Sequence, residues 1–296
     1  MAIYNTAPFV QKNPQKAWEE CPFVYDGRLF KAGFRRQWAG TAGLEIVISE
    51  YDDAKDVFWV VGRIPWTRLL GCILSDDDGR IYAFGTTSTG AGGNSIKRQE
   101  IDPATWAFIG PECHVHTAPA NVTIYNTSVC KRPDSTGHDR YVLVYETNEG
   151  PVAFSARFLK SSDLVAWTPF GSLMRPESYA ACPTIRYIKD GWFLLTWLWH
   201  NVHLGKSYWI TNIGRTKDFV NFPSWTGAPH LSSATQVLSP MDTPYEGCNN
   251  SDCDFVEYNG RVYFTYFTGD QATWAVNSDA WYDGTLEDFY HEWWPA

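Results

Sequence analysis

The sequence predicts an all-β fold, a five-bladed β-propeller with four-stranded antiparallel blades around a central axis, and two repeated patterns carry the prediction. The first is a short apolar run, a polar turn usually carrying Gly, and a second aromatic-rich apolar run. It recurs five times, with inner-strand starts at Glu20, Gly71, Asn126, Ala181 and Asp252. A hairpin of this kind cannot bury both faces alone, and its repetition is the mark of blades stacked around an axis. The second pattern is a turn in which Asp or Ser precedes a large apolar residue. It reads Asp102-Pro103-Ala104-Thr105-Trp106, Ser162-Asp163-Leu164-Val165-Ala166-Trp167 and Thr216-Lys217-Asp218-Phe219, with a further variant at Leu286-Glu287-Asp288-Phe289. The polar residue can bind local backbone N–H groups while the apolar one plugs the blade edge.

Taken in chain order, residues 1 to 10 offer Ala2-Ile3-Tyr4 as a strand that completes the last blade, closing the ring and hiding two sheet edges. Blade one runs from Glu20 through Asp26-Gly27 to Phe30, and blade two from Gly71 through Asp78-Gly79 to Tyr82. Blade three begins at Asn126 and returns over Tyr141 to Tyr145, with Val152 to Phe158 as its third strand. Blade four turns at Gly191 and blade five at Gly260. Successive starts lie 51, 55, 55 and 71 residues apart. The long last interval implies an insertion within 224–248, where Pro, Ser, Thr and Gly gather without period-two alternation, and such a loop is placed to wall the active face. Repeats that extend from near residue 20 to the C-terminus predict one domain over 1–296.

Composition narrows the function. A net charge of -9 argues against nucleic acid, which needs clustered Lys and Arg. Apolar runs such as Trp192 to Trp199 have strand length, far short of the roughly 20 residues of a membrane span. An aromatic content of 16%, with 15 Trp, suits packed sheets and also sugar rings, whose apolar faces stack on aromatic ones. The start Met1-Ala2-Ile3-Tyr4-Asn5 has no charged leader before an apolar stretch, so the chain as given is expected in the cytoplasm, or outside it if a leader has been removed. Seven Cys is an odd count; Cys21, Cys72, Cys182 and Cys253 share a repeat position and are read as small apolar packing around the axis. No spacing resembles a zinc site, and His114 with His116 lacks a third ligand. No cofactor is expected, with a structural axial cation such as calcium left open.

In a propeller, inner-strand starts and second-strand ends meet at one end of the central channel. Three carboxylates, Glu20, Glu146 and Asp252, break the apolar register there and are read as catalytic candidates together with His200. Glu19, Arg35, Trp38, Asn126, Trp199, Asp254, Asp270, Gln271 and Trp274 are read as substrate-binding candidates, with Trp38, Trp199 and Trp274 as stacking walls. Paired carboxylates suit glycosidic bond cleavage, since one stays protonated to serve the leaving oxygen while the other activates water or attacks the sugar. Glu146 is the better acid because its aromatic neighbours disfavour charge. Asp254, two residues past Asp252, is expected to share its strand face and tune it, or to bind a nearby amide. Arg186 is expected toward the far end of blade four.

The segments Cys21-Pro22-Phe23-Val24-Tyr25-Asp26-Gly27, Ala181-Cys182-Pro183-Thr184-Ile185, Ser162-Asp163-Leu164-x-x-Trp167 and Asn250-Ser251-Asp252-Cys253-Asp254-Phe255 resemble five-bladed glycosidases of the group holding glycoside hydrolase families 43, 62 and 117. The likeness covers nearly the whole chain. Family 43 has an Asp before Pro in blade one, a second Asp in blade three and a Glu in blade four. Here Glu20-Cys21 precedes Pro22, Asn126 opens blade three, and Ala181 stands for the blade-four Glu. Family 117 uses a His as proton donor, which the resemblance transfers to His200. The resemblance implies a divergent glycoside hydrolase, inverting, that removes a terminal sugar from an oligosaccharide or polysaccharide. A non-catalytic carbohydrate-binding propeller and a polysaccharide lyase are the alternatives.

Overall fold

The computed structural model describes residues 3–5, 17–35, 45–87, 93–152, 154–175, 178–203, 205–222, 236–238, 247–269 and 275–295. The described chain is all-β apart from one C-terminal helix. Three sheets have four strands each, built by consecutive antiparallel pairing. The first holds β2 (Ala17–Tyr25), β3 (Arg28–Arg35), β4 (Glu45–Asp52) and β5 (Val57–Pro65), after the short β1 (Ile3–Asn5). The second holds β6 (Leu69–Ser75), β7 (Ile81–Thr86), β8 (Ser95–Asp102) and β9 (Ala107–Thr117). The third holds β10 (Ile124–Lys131), β11 (Tyr141–Thr147), β12 (Ser155–Ser161) and β13 (Thr168–Met174).

The fourth and fifth repeats share a single eight-stranded sheet, so the hydrogen-bonded sheets number four where the sequence predicts five separate blades. This sheet contains β14 (Ala181–Tyr187), β15 (Phe193–His203), β16 (Lys206–Thr216), β17 (Gln236–Leu238), β18 (Asn249–Tyr258), β19 (Arg261–Gly269) and β20 (Ala275–Asp283), with β1 added at its edge. The physical reason is the length of β16. Its 11 residues reach far enough for one parallel pair, Trp209 with Asn249, to join it to β18, helped by Trp209 N–H donating to Cys248 O at 2.9 Å.

β1 pairs antiparallel with β20, Ile3 opposite Tyr282, so the N-terminus does supply an edge strand to the last repeat. The ring closes through Leu29, Tyr51 and Phe58 of the first sheet, which pack with Tyr258, Tyr263 and Trp281 of the last. Thr265 Oγ1 also donates to Glu20 O at 3.0 Å across that seam. The inner strands β2, β6, β10, β14 and β18 pack in chain order around the axis, and the sheets between them are filled by large aromatics such as Phe30, Phe84, Phe158 and Phe264.

The repeated turns behave as their composition predicts. Asp163 Oδ1 accepts from Val165 N–H and Ala166 N–H, Leu164 is buried, and Trp167 meets Phe84 of the preceding sheet edge-on. The variant at Leu286 departs from this. It begins helix α1 (Leu286–Trp293), whose Thr285 and Asp288 form a reciprocal capping box; Phe289, Tyr290 and Trp293 bury the apolar face against the last sheet. Of the expected insertion within 224–248, only β17 and residues 247–248 are described. No helix among the described residues is long and apolar enough to cross a membrane.

Candidate active site

The inner strands do not start cleanly. All five slip register near their starts, between Ala17 and Glu19, Leu70 and Cys72, Ile124 and Thr127, Ala181 and Thr184, and Ser251 and Asp254. A bulge inserts extra residues and re-aims side chains. The residues in these bulges include Gly71, Asn126, Cys182 and Asp252, and all four line one open hollow, about 320 Å3 with the solvent at its mouth included. Cys182 and Asp252 have φ of 48° and 52°, a left-handed backbone that non-glycine residues occupy at a cost of about 1–3 kcal/mol. The fold holds this strain at the hollow. Glu20 and Asp254 complete the acidic lining.

Glu146 is the last residue but one of β11, a strand buried along its whole length. Its Oε2 accepts two hydrogen bonds, from Cys182 N–H at 2.8 Å and from Asn126 Nδ2 at 3.0 Å. Burial pushes the carboxyl from 4.5 to about 8; the Cys182 amide opposes this, and the negative Asp252 adds to the rise. The group is therefore protonated at neutral pH. With both donors on Oε2, the proton belongs on Oε1. The cause is enclosure among buried strands and the Asp252 charge rather than Tyr145 alone.

Asp252 Oδ2 accepts from Ser251 Oγ at 2.5 Å. Glu20 is held differently: Lys31 Nζ lies 3.0 Å from its Oε2 and 3.2 Å from Asp279 Oδ2. Burial pulls the Lys31 ammonium down, but Asp279 and Glu20 outweigh it and keep it above its ordinary value. Lys31 thus stays charged and braces Glu20 at the wall. The three predicted carboxylates meet at one site: two line the hollow, and the third hydrogen-bonds its lining.

Arg186 lies toward the far end of β14, past the residues that line the hollow, and forms an ion pair there. It is half-buried between the inner strands, donating through Nε to Phe255 O at 2.8 Å, through Nη1 to Ser128 Oγ at 3.1 Å, and pairing with Asp254. Burial raises the Asp254 carboxyl and Arg186 opposes that rise. Asp254 also accepts from Phe255 N–H at 2.7 Å, so its partners are Arg186 and a backbone amide. Asp252 and Asp254 line the same hollow, although a bulge between Ser251 and Asp254 interrupts the simple alternation of the strand. Around this pair, burial pushes the Cys21, Cys72 and Cys253 thiols up, which keeps them neutral as packing groups. Cys182 differs from them, being half-buried on the hollow.

His200 lies on β15 opposite Trp209, with ring centroids 4.9 Å apart. On its other side Tyr179 stands at 5.9 Å, and Tyr179 in turn meets Phe154 at 5.3 Å. Burial, then the neighbouring Cys182, Glu146 and Asp252, hold the Tyr179 phenol above its ordinary value. His200 therefore flanks the carboxylates one ring away, behind Tyr179, which sequence reasoning missed because it precedes the strand and belongs to no repeat. Trp199 is half-buried opposite Ile210 and is not part of the hollow's lining. Trp38, Asp270, Gln271 and Trp274, and the side chains of Glu19 and Arg35, lie outside the described residues. His114 and His116 are bound separately, to Thr117 Oγ1 at 2.7 Å and Tyr145 OH at 3.4 Å. Among the described residues, no group of three or more His, Cys, Asp or Glu is arranged to hold a metal ion.

No protein-family model matches the chain, and no curated protein matches its sequence. Solved structures do resemble it in fold. A chain described as a glycoside hydrolase superposes with a TM-score of 0.66 at 15% identity, over 90% of this chain and 88% of that one. BT0996, from an RGII complex, gives 0.65 at 15% identity with the same coverage. The α-L-arabinofuranosidase PaAbf62A from Podospora anserina, in complex with cellotriose, gives 0.61 at 8% identity, over 93% of each chain. The protein has the all-β propeller fold that these carbohydrate-active structures share.

Proposed function

We propose that this protein is a glycoside hydrolase that cleaves a terminal sugar from an oligosaccharide, with Glu146 as the general acid and Asp252 as the base. The observation that carries the reading is the buried, protonated Glu146 (about 8), hydrogen-bonded to Asn126 and the Cys182 amide in the wall of the hollow that the negative Asp252 lines. Two carboxyl groups whose environments push their proton affinities apart are the requirement for this chemistry. In the proposed step Glu146 Oε1 gives its proton to the departing glycosidic oxygen. Asp252 takes one from a water that attacks the anomeric carbon from the opposite face, inverting it. Asn126 and the Cys182 amide orient the acid. Glu20, braced by Lys31, is the alternative base and otherwise an acceptor for sugar hydroxyls, while His200 and Tyr179 flank the entrance side.

The same reading takes the eight-stranded sheet as two blades of a five-membered ring, supported by five inner strands that pack in chain order. Carbohydrate-active neighbours of the same fold favour sugar chemistry, although fold alone does not decide function. The test is a screen of arabino-, xylo- and pectic oligosaccharides with chromatography of the products and NMR of the first anomer released. Cleavage that vanishes in Glu146→Gln and Asp252→Asn supports the proposal. Binding without cleavage across the screen would leave a non-catalytic carbohydrate-binding propeller instead.

A further inference from the structure

A row of aromatic rings borders the hollow. Tyr125, next to Asn126 of the lining, meets Phe154 at 5.0 Å, and Phe154 meets Tyr179 at 5.3 Å, both pairs edge to face. Tyr179 carries the row to His200 at 5.9 Å, and His200 to Trp209 at 4.9 Å. All five residues are half-buried. Ala180 N–H donates to Phe154 O at 2.9 Å, so backbone and rings together hold Tyr179 in place. Its hydroxyl is left over. The phenols of Tyr141, Tyr187 and Tyr258 each donate to a carboxylate, of Asp76, Asp134 and Asp53. The Tyr179 hydroxyl has no hydrogen-bond partner among the described residues, and it is not one of the buried unpaired atoms, as His200 Nε2 is. It therefore keeps open surface that a ligand can reach. Burial and the nearby Cys182, Glu146 and Asp252 raise the phenol, which keeps it a proton donor. Tyr179 nevertheless stands outside the lining of the hollow, so a ligand atom that meets it belongs to a part extending past the lining.

We propose that Tyr179 is a further substrate-binding residue, whose phenol donates a hydrogen bond to an oxygen of the second sugar of an oligosaccharide, the unit outside the hollow, with the aromatic row around it as the apolar wall of that subsite. An aromatic wall carrying one free hydroxyl suits a sugar ring, which has apolar faces and polar edges. The inference rests on the sugar-binding part of the proposed function but needs no turnover.

The probes are methyl α-L-arabinofuranoside with arabinotriose, and methyl β-D-xylopyranoside with xylotriose, titrated by calorimetry and ligand-observed NMR. Binding is measured in Glu146→Gln, where the proposed acid is gone and a trisaccharide stays whole, with and without Tyr179→Phe. Phe keeps the ring and removes only the hydroxyl, so Tm should stay within about 2 °C. One trisaccharide should bind more tightly than its methyl glycoside, and Tyr179→Phe should weaken it about fivefold while leaving the methyl glycoside within about twofold. The proposal is overturned if Tyr179→Phe changes neither affinity or weakens both alike, or if neither trisaccharide outbinds its methyl glycoside. It is overturned equally if Tm falls by more than about 2 °C, since the hydroxyl would then be engaged by the protein itself. Tyr179-dependent binding by a wild type that cleaves nothing would remove the hydrolase reading alone. Trisaccharide hydrolysis with kcat/KM unchanged in Tyr179→Phe would remove this one alone.

Discussion

Replacing Glu146 with Gln should make the protein more stable at alkaline pH while abolishing the proposed acid. Gln keeps the shape and an oxygen that accepts from Cys182 N–H and Asn126 Nδ2, the two donors now on Oε2. What it removes is ionisation. Glu146 is raised from 4.5 to about 8 in the fold, so the native state holds this proton more tightly than the unfolded chain. Its contribution to stability is complete below about pH 4.5, declines as pH rises, and is lost once pH passes about 8. At about 1.4 kcal/mol per pH unit, the interval corresponds to about 5 kcal/mol, an order of magnitude that partial opening of the site would reduce. Urea unfolding of wild type and Glu146→Gln at pH 5, 7 and 9 measures it directly. The variant should gain on wild type at each step, by a few kcal/mol in all, and the difference should flatten above pH 8. Parallel profiles, agreeing within about 0.5 kcal/mol, would refute the claim that burial keeps this carboxyl protonated.

Further outcomes follow from neighbouring contacts. Asp252→Asn removes a negative charge that helps hold the Glu146 proton, so the alkaline limb of any residual kcat/KM profile, or the Glu146 titration followed by NMR, should move to lower pH. Arg186→Met strands the buried Asp254 without its partner, a loss of about 3–5 kcal/mol visible as a lowered urea midpoint; adding Asp254→Asn should recover part of it. Gly71→Ala forces a Cβ to within 1.9 Å of Thr127 Oγ1 and 2.6 Å of a backbone oxygen. It should cost about 1–3 kcal/mol, whereas Gly79→Ala, in an open turn with nothing within 4 Å, should lose less, through its backbone angle alone.

The repeats were legible in sequence because a hairpin announces itself locally: an apolar run, a turn and a second run lie within about 25 residues, and β2–β3, β10–β11 and β18–β19 pair as their patterns imply. Glu20, Glu146 and Asp252 could be picked out because charge inside an apolar run is conspicuous at any level of structure. Helix α1 was hidden because Leu286-Glu287-Asp288-Phe289 reads as a turn until Thr285 is taken with Asp288 as a capping box and Phe289, Tyr290 and Trp293 are seen buried on one face. The merging of the fourth and fifth repeats depends on one pair, Trp209 with Asn249, which no local pattern encodes.

By itself, the sequence determined the all-β repeat, the hairpin positions and the place of Glu20 and Asp252 near inner-strand starts and of Glu146 near a second-strand end, since each of these follows from alternation and turn chemistry over short stretches. Only the tertiary structure decided which acid keeps its proton, that Arg186 pairs with Asp254 between the inner strands, that Lys31 braces Glu20, and that the Tyr179 phenol stands unpaired beside the hollow. Those facts depend on bulges that rotate single side chains and on burial created by strands far apart in the chain, such as the Cys182 amide carried to Glu146 by the neighbouring repeat. Proton affinity and hydrogen-bond pairing are properties of an enclosure, and the enclosure exists only once the ring has closed.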